Sequence, residues 1–198
     1  MPRAFAHCKP VLWAAFFSAL MPWAQAQTIS AKLTICAACH GADGNSQLQG
    51  SPSLAGQPKV FIETQLVMIR EGMRSIPAMQ GILGGVSDYE ISAMATHYAA
   101  LPLKNPTVAR QAALYAQGEK KSGDMRCGIC HLPSYAGREQ IPRLAGQRED
   151  YLLHSMRQFN SNQAVGRDTI MAASLYGVND DDLKAMAHFL SRLSAAAP

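Results

Sequence analysis

Apolar residues recur at helical spacing in two widely separated stretches of the sequence. Ile91, Met94, Ala95 and Tyr98 fall at i, i+3, i+4 and i+7, and so do Leu183, Met186, Ala187 and Leu190. Each pattern predicts a helix with one buried face, over 88–100 and 180–193. Ser87 and Asn179 stand at the N-cap positions, with acidic residues in the turn that follows. Met94 and Met186 lie on these faces and read as core. Weaker patterns predict helices over 29–38 and 108–120, and over Lys59 to Glu71 and Glu149 to Phe159. No stretch alternates as a half-buried strand does, so the protein reads as all-α. The segment Leu101-Pro102-Leu103-Lys104-Asn105-Pro106 stops a helix and stiffens a linker at residues 102–106.

The helices on either side of that linker form two copies of one unit. Pro52 followed by Leu54-Ala55-Gly56-Gln57 recurs as Pro142 followed by Leu144-Ala145-Gly146-Gln147, 90 residues on. Farther along the offset becomes 92, which implies a two-residue insertion in the second copy. Met79 then matches Met171, and Ser87-Asp88 matches Asn179-Asp180. Units at 27–101 and 107–198 follow, each near the size at which a polypeptide alone buries only a marginal core.

Composition narrows the class. Of the 198 residues 48% are hydrophobic and 16% charged, which is too apolar for a disordered protein. No apolar run reaches the roughly 18 residues of a membrane span. Residues 1–26 read as a secretory leader: Arg3 and Lys9 are followed by an apolar run from Val11 to Met21 and the small-residue pattern Ala24-Gln25-Ala26, with cleavage expected after Ala26. An uncleaved anchor is the competing reading, opposed by Pro22 and the shortness of the run. Cys8 precedes that run, which argues against lipidation. Loss of Arg3 and Lys9 lowers the formal net charge from +4 to +2, so the sequence gives no reason to expect a nucleic-acid partner.

Four cysteines remain, as Cys36-Ala37-Ala38-Cys39-His40 and Cys127-Gly128-Ile129-Cys130-His131. In an exported protein the pattern C-x-x-C-H spells covalent haem attachment: two thiols on one helical turn each bond a vinyl group of one porphyrin, and the adjacent histidine reaches the iron. Structural disulfides would close rings too short to staple anything. A single zinc site would have to join pairs 91 residues apart. A thioredoxin-like pair needs a strand-helix-strand setting, which the helical periodicity does not provide.

An iron held by His40 or His131 needs a second axial ligand, and the repeat offers candidates. Met79 follows His40 by 39 residues and Met171 follows His131 by 40, each in a stretch broken by Pro77 or Gly166, where a loop can carry a thioether over the iron. Met68, Met73, Met125 and Met156 have no methionine counterpart in the other copy; Met73 is the reserve candidate. His97, His154 and His188 have no assigned role.

Two C-x-x-C-H units, two P-x-L-A-G-Q blocks, the later methionines and the proline-containing linker together resemble the dihaem cytochrome c4 family, two class I cytochrome c domains in tandem, over essentially the whole sequence beyond residue 26. The resemblance implies two covalently bound haem c groups, one wrapped in each domain. Attachment would be at Cys36, Cys39, Cys127 and Cys130, and iron ligation by His40 with Met79 and His131 with Met171. It also implies that the carbonyls of Pro52 and Pro142 accept hydrogen bonds from the ligand histidines. Met125 and Arg126 directly before the second motif, and the insertion before Met171, depart from the first copy.

Iron with both axial positions filled has no vacancy for a substrate, so these residues suit a periplasmic carrier of single electrons rather than an enzyme. Its expected partners are redox proteins such as a membrane cytochrome complex or a terminal oxidase, with peripheral attachment to a membrane surface left open. Two other readings stay open: an electron-transfer subunit of a flavocytochrome-type dehydrogenase, and a dihaem peroxidase, which would need a labile sixth ligand. Arg138, Arg143 and Arg148 are expected either as solvated surface charge or as a basic patch that steers a partner.

Overall fold

A computed structural model describes residues 21–105 and 107–194, with the side groups of 21–28 left aside. The leader assigned to residues 1–26 thus lies largely outside the described residues. Among the described residues eight helices run in sequence order: α1 (Met21–His40), α2 (Lys59–Arg70), α3 (Asp88–Ala100), α4 (Ala112–Asp124), α5 (Gly128–His131), α6 (Glu149–Asn160), α7 (Thr169–Leu175) and α8 (Asp180–Ser191). A short 3₁₀ turn, Pro77–Met79, follows α2. Among the described residues the only β-type pairing is the isolated bridge between Arg138 and Ile141, so the all-α expectation holds.

The two closing helices begin where their caps dictate. Ser87 Oγ accepts the Glu90 N–H while Glu90 Oε2 accepts the Ser87 N–H, a reciprocal box at the start of α3. At α8 Asn179 Oδ1 accepts the Asp182 N–H at 2.8 Å. Their apolar faces are buried, Met94 and Met186 included. The helices before the cysteines differ from expectation. α1 runs unbroken through Cys36, Cys39 and His40, whereas α4 stops at Asp124 and Arg126 adopts φ +57° before Cys127 opens the short α5. Helix α7 is not marked by any periodicity in the sequence: Asp168 Oδ1 caps it by accepting the Ile170 N–H at 2.7 Å, and Met171 therefore sits in a helical first turn instead of a loop.

In each half the closing helix packs against the helix before the cysteines and the middle helix: α3 on α1 and α2, α8 on α4 and α6. Leu83, Val86, Ile91 and Met94 form one apolar group in the first half, beside a smaller one of Ile62, Ala95 and Tyr98. In the second half Leu152, Met156, Phe159, Leu175, Leu183, Met186, Phe189 and their neighbours form a single core. Helices α4 and α8 touch so closely at Gly118 that a Cβ there would lie 2.0 Å from the Ala185 carbonyl oxygen, leaving room for no residue but glycine.

The halves are joined by a polar seam. Gln57 Nε2 donates to Arg143 O and Arg143 N–H donates to Gln57 Oε1, both at 3.0 Å; Gln147 Nε2 donates to Ser53 O and Ser53 N–H to Gln147 Oε1, both at 2.8 Å. Because Ser53 and Arg143 hold equivalent places in the repeat, as do the two glutamines, the contacts are reciprocal, as across a two-fold axis. The linker is fastened to the first half: Asn45 Nδ2 donates to Pro102 O and Lys104 N–H to Asn45 Oδ1.

Candidate haem sites

Each C-x-x-C-H pair has one thiol turned inward and one outward. Cys36 packs beside Leu83, Ile91 and Met94, and Cys127 against the core of the second half; Cys39 and Cys130 are exposed. Burial pushes the Cys36 and Cys127 thiols up, which opposes thiolate chemistry and suits an apolar slot. All four are free of disulfides. Among the described residues no three His, Cys, Asp or Glu residues converge, so the two pairs do not assemble one zinc site.

The histidine ending each motif is buried, His40 at 7% and His131 at 4% exposure. His40 Nδ1 lies 2.8 Å from Pro52 O, and His131 Nδ1 lies 2.9 Å from Pro142 O. A carbonyl can only accept, so in both rings Nδ1 carries the proton and Nε2 is the lone-pair nitrogen available to a metal. Burial pulls both imidazoles below their ordinary pKa, partly offset by the proline carbonyls, and so favours the neutral ring a metal requires. Each proline leads into a turn shared by the halves: Leu54 and Ala55 N–H both donate to Gly44 O, and Leu144 and Ala145 N–H both donate to Tyr135 O.

Met79 and Met171 pack, partly buried, against the same apolar groups as Cys36 and Cys127 respectively. Met79 ends the 3₁₀ turn that Pro77 opens; Met171 rides in α7 behind Gly166, whose φ is +71°. Met73 is exposed at 51%, away from either group. Of the unassigned histidines, His154 is exposed and His97 rests edge-on against Tyr98. His188 is fully buried, with its Nε2 accepting the Gln111 N–H and its Nδ1 facing Glu149.

The arginines correct the sequence expectation. Arg143 and Arg148 form neither a solvated face nor an exposed steering patch, because both enter the seam. Arg143, 3% exposed, donates to Ala55 O at 2.9 Å and to Ala145 O. It has no carboxylate partner among the described residues, its Nε is orphaned, and burial lowers its pKa to about 10. Arg148 pairs with Asp150 and donates to Ser46 O across the seam. Of the three only Arg138 is exposed.

A second unbalanced cluster carries no mark in the sequence. Arg74 of the first half approaches the Tyr151 hydroxyl at 3.5 Å, and Arg167 lies close enough for burial and Arg74 to pull its pKa to about 10. Burial would raise the Tyr151 pKa, yet the two cations outweigh it and lower it. Among the described residues neither Arg74 nor Arg167 has a carboxylate partner, and a half-buried cation pair of this kind calls for an anion. A porphyrin with two carboxylates, an iron seeking imidazole and thioether, and two vinyl groups suits the donors present: neutral His Nε2, Met sulfur, paired thiols on one turn and unpaired arginines. The residues fit the group.

Comparison with known proteins gives the family. A family model described as cytochrome c oxidase, cbb3-type, subunit III matches residues 22–97. The protein is 31% identical over 172 residues to cytochrome c4 of Pseudomonas aeruginosa, an alignment spanning 82% of this sequence and 86% of the relative. It is 31% identical over 191 residues to a protein of Thiomonas intermedia named thiosulfate dehydrogenase electron acceptor, spanning 91% and 87%. The crystal structure of reduced recombinant cytochrome c4 from Pseudomonas stutzeri superposes with a TM-score of 0.76 at 28% identity, covering 85% of this protein and 98% of that one. The doubled motif, the doubled fold and this likeness over most of both molecules identify the protein as a member of the cytochrome c4 family, dihaem c-type cytochromes that carry electrons.

Proposed function

We propose that Cys36 and Cys39 bind one haem and Cys127 and Cys130 the other, with His40 and Met79, and His131 and Met171, as the axial pairs. Residues 27–101 and 107–198 are then separate haem-binding domains joined by 102–106. The observation that carries the reading is the convergence, in each half, of an inward cysteine and a methionine on one apolar group, beside a buried histidine locked in the Nδ1–H tautomer.

A haem in each site supplies a one-electron ferric/ferrous couple, and the protein's own residues do the rest. Pro52 and Pro142 fix ring rotation and tautomer, so each Nε2 would be presented to a bound iron in one orientation. The apolar groups around Cys36 and Cys127 exclude water, which together with thioether ligation favours the ferrous state. With a histidine and a methionine both offered to each iron, no position would be left for a substrate, which supports a carrier over an enzyme. The leader and the C-x-x-C-H chemistry support action in the periplasm after cleavage behind Ala26, between partners such as a membrane cytochrome complex and a terminal oxidase. Among the described residues no helix is long and apolar enough to cross a membrane.

The test is a reductive titration with optical and magnetic spectra on the protein and on Met79→His and Met171→His. Each variant is expected to convert one of two low-spin centres to bis-histidine character and to lower its potential. Unchanged spectra would remove that methionine from the assignment. The relative named thiosulfate dehydrogenase electron acceptor favours a second reading, a dedicated acceptor for one dehydrogenase. Rapid, salt-sensitive reduction by a thiosulfate dehydrogenase and not by a membrane cytochrome complex would select it.

A further inference from the structure

The two seam glutamines, Gln57 and Gln147, are 4% and 3% exposed, and both carboxamides reach across to the opposite half. His40 Nδ1–H donates to Pro52 O; the same peptide unit ends in the Ser53 N–H, which donates to Gln147 Oε1 from across the seam. His131 Nδ1–H donates to Pro142 O, and the N–H of that unit, on Arg143, donates to Gln57 Oε1. Each histidine is therefore one amide away from a glutamine of the other half, twice over and with the same atoms. We propose that Gln57 and Gln147 are positioning residues that set the electron affinity of the iron site in the opposite half, each through a single peptide unit.

The physical route is amide polarisation. An acceptor on a peptide N–H draws electron density onto its carbonyl oxygen, and hydrogen bonds linked this way strengthen one another. A more basic Pro52 oxygen holds the His40 Nδ1 proton harder, raising the donor strength of Nε2 and favouring the ferric state. Glutamine is suited to the task because its donor and acceptor stand side by side: the carboxamide grips both the N–H and the C=O of Ser53, or of Arg143, in one geometry. Glutamate would keep the acceptor and lose the donor. The consequence is that each iron centre is tuned from the far side of the seam, so disturbing one half registers in the potential of the other.

The inference rests on the ligand assignment proposed above, and the experiment separates the two. Gln147→Met, Gln57→Met and the seam control Leu103→Ala are made in the full-length holoprotein; Leu103 packs on Gly146 and has no hydrogen bond in either relay. Haem content is counted by the alkaline pyridine spectrum. The potential of each haem is followed through its own methyl resonances, assigned half by half in proton NMR. Gln147→Met is expected to raise the potential of the haem bound at Cys36 and Cys39 and leave the other in place. Gln57→Met is expected to do the converse. Each shift should be about threefold to tenfold in the one-electron equilibrium, smaller than the about 10-fold to 100-fold effects of partners bonded directly to a ligand. Leu103→Ala should leave the difference between the two potentials as it is.

A shift in the mutated half, equal shifts in both halves, or no shift in either variant overturns the proposal. Should a methionine variant lose haem, Gln147→Glu replaces it: with the acceptor kept, the potential of the first haem must stay at or below its original value, and a rise overturns the relay. A wrong ligand assignment shows itself differently, as fewer than two haems or an absence of His/Met spectra in the unmutated protein.

Discussion

Phe189 in the second half touches Tyr115 and Tyr135 edge-on, with ring centroids 5.0 and 5.7 Å apart, while the equivalent position in the first half is His97, set beside Tyr98 at the margin. The contrast repeats at the turn that leads to each ligand-histidine carbonyl. Gly44 takes φ +72°, and a Cβ there would sit 2.9 Å from Ala55 N; its counterpart Tyr135 adopts φ +55°, at a cost of about 1 kcal/mol, and turns an aromatic ring into the core. The second half fills its interior with its own residues, and the first leaves two smaller apolar groups. Yet the Pro-to-His hydrogen bonds are 2.8 and 2.9 Å, both close to the commonest N–H···O length. Duplicated halves can hold the geometry that matters to a bound group while their packing drifts, and the half with less packing of its own leans more on what it binds.

That contrast can be broken most severely at its aromatic centre. Phe189→Ala is expected to destabilise the second half by about 3–5 kcal/mol, read as a lower thermal midpoint in circular dichroism. His97→Ala, at the equivalent place, should stay within about 0.5 kcal/mol. A large loss from His97→Ala would show that the first half has a hidden aromatic core. Gly118→Ala should cost about 3 kcal/mol by forcing α4 and α8 apart. It should leave the spectrum of the haem bound at Cys36 and Cys39 unchanged. Gly44→Ala combines left-handed backbone with the contact on Ala55 N, for about 2 kcal/mol, and should disturb the first half alone. A smaller loss than at either glycine is expected at the caps. Ser87→Ala and Asn179→Ala should each cost about 1 kcal/mol, and equal losses would show that the caps of the closing helices have kept their strength while the faces behind them diverged.

What is legible in the sequence follows the range of the forces involved. Helices α3 and α8 can be read over 88–100 and 180–193 because cap, acidic first turn and apolar stripe are all local and agree. Helix α7 escapes because its seven residues carry no clear stripe: Ile170 is exposed while Met171 and Leu175 turn inward. The break at Arg126 escapes because nothing in its residue type marks a positive φ. The C-x-x-C-H motifs announce their chemistry outright. Arg143 misleads because a charge spaced between Arg138 and Arg148 reads as surface; its burial depends on carbonyls 88 and 2 residues away, on both sides of a seam that no one-dimensional pattern contains. The glutamines are visible as a repeated block, but their partners lie 86 and 94 residues off, and only the reciprocal docking of the halves gives them a task.

The seam has one further property. Its bonding groups are carboxamides, peptide units, the Arg143 guanidinium whose pKa of about 10 keeps it charged well above neutrality, and the Arg148–Asp150 pair, where hydrogen bonds from Arg148 and the Gly50 N–H outweigh burial and hold the carboxyl below its ordinary range. None of these takes up or releases a proton in the physiological range. The docking of one half on the other therefore keeps its charges through the neutral range, and the contacts of the join hold no switch for the acidity of the surrounding medium.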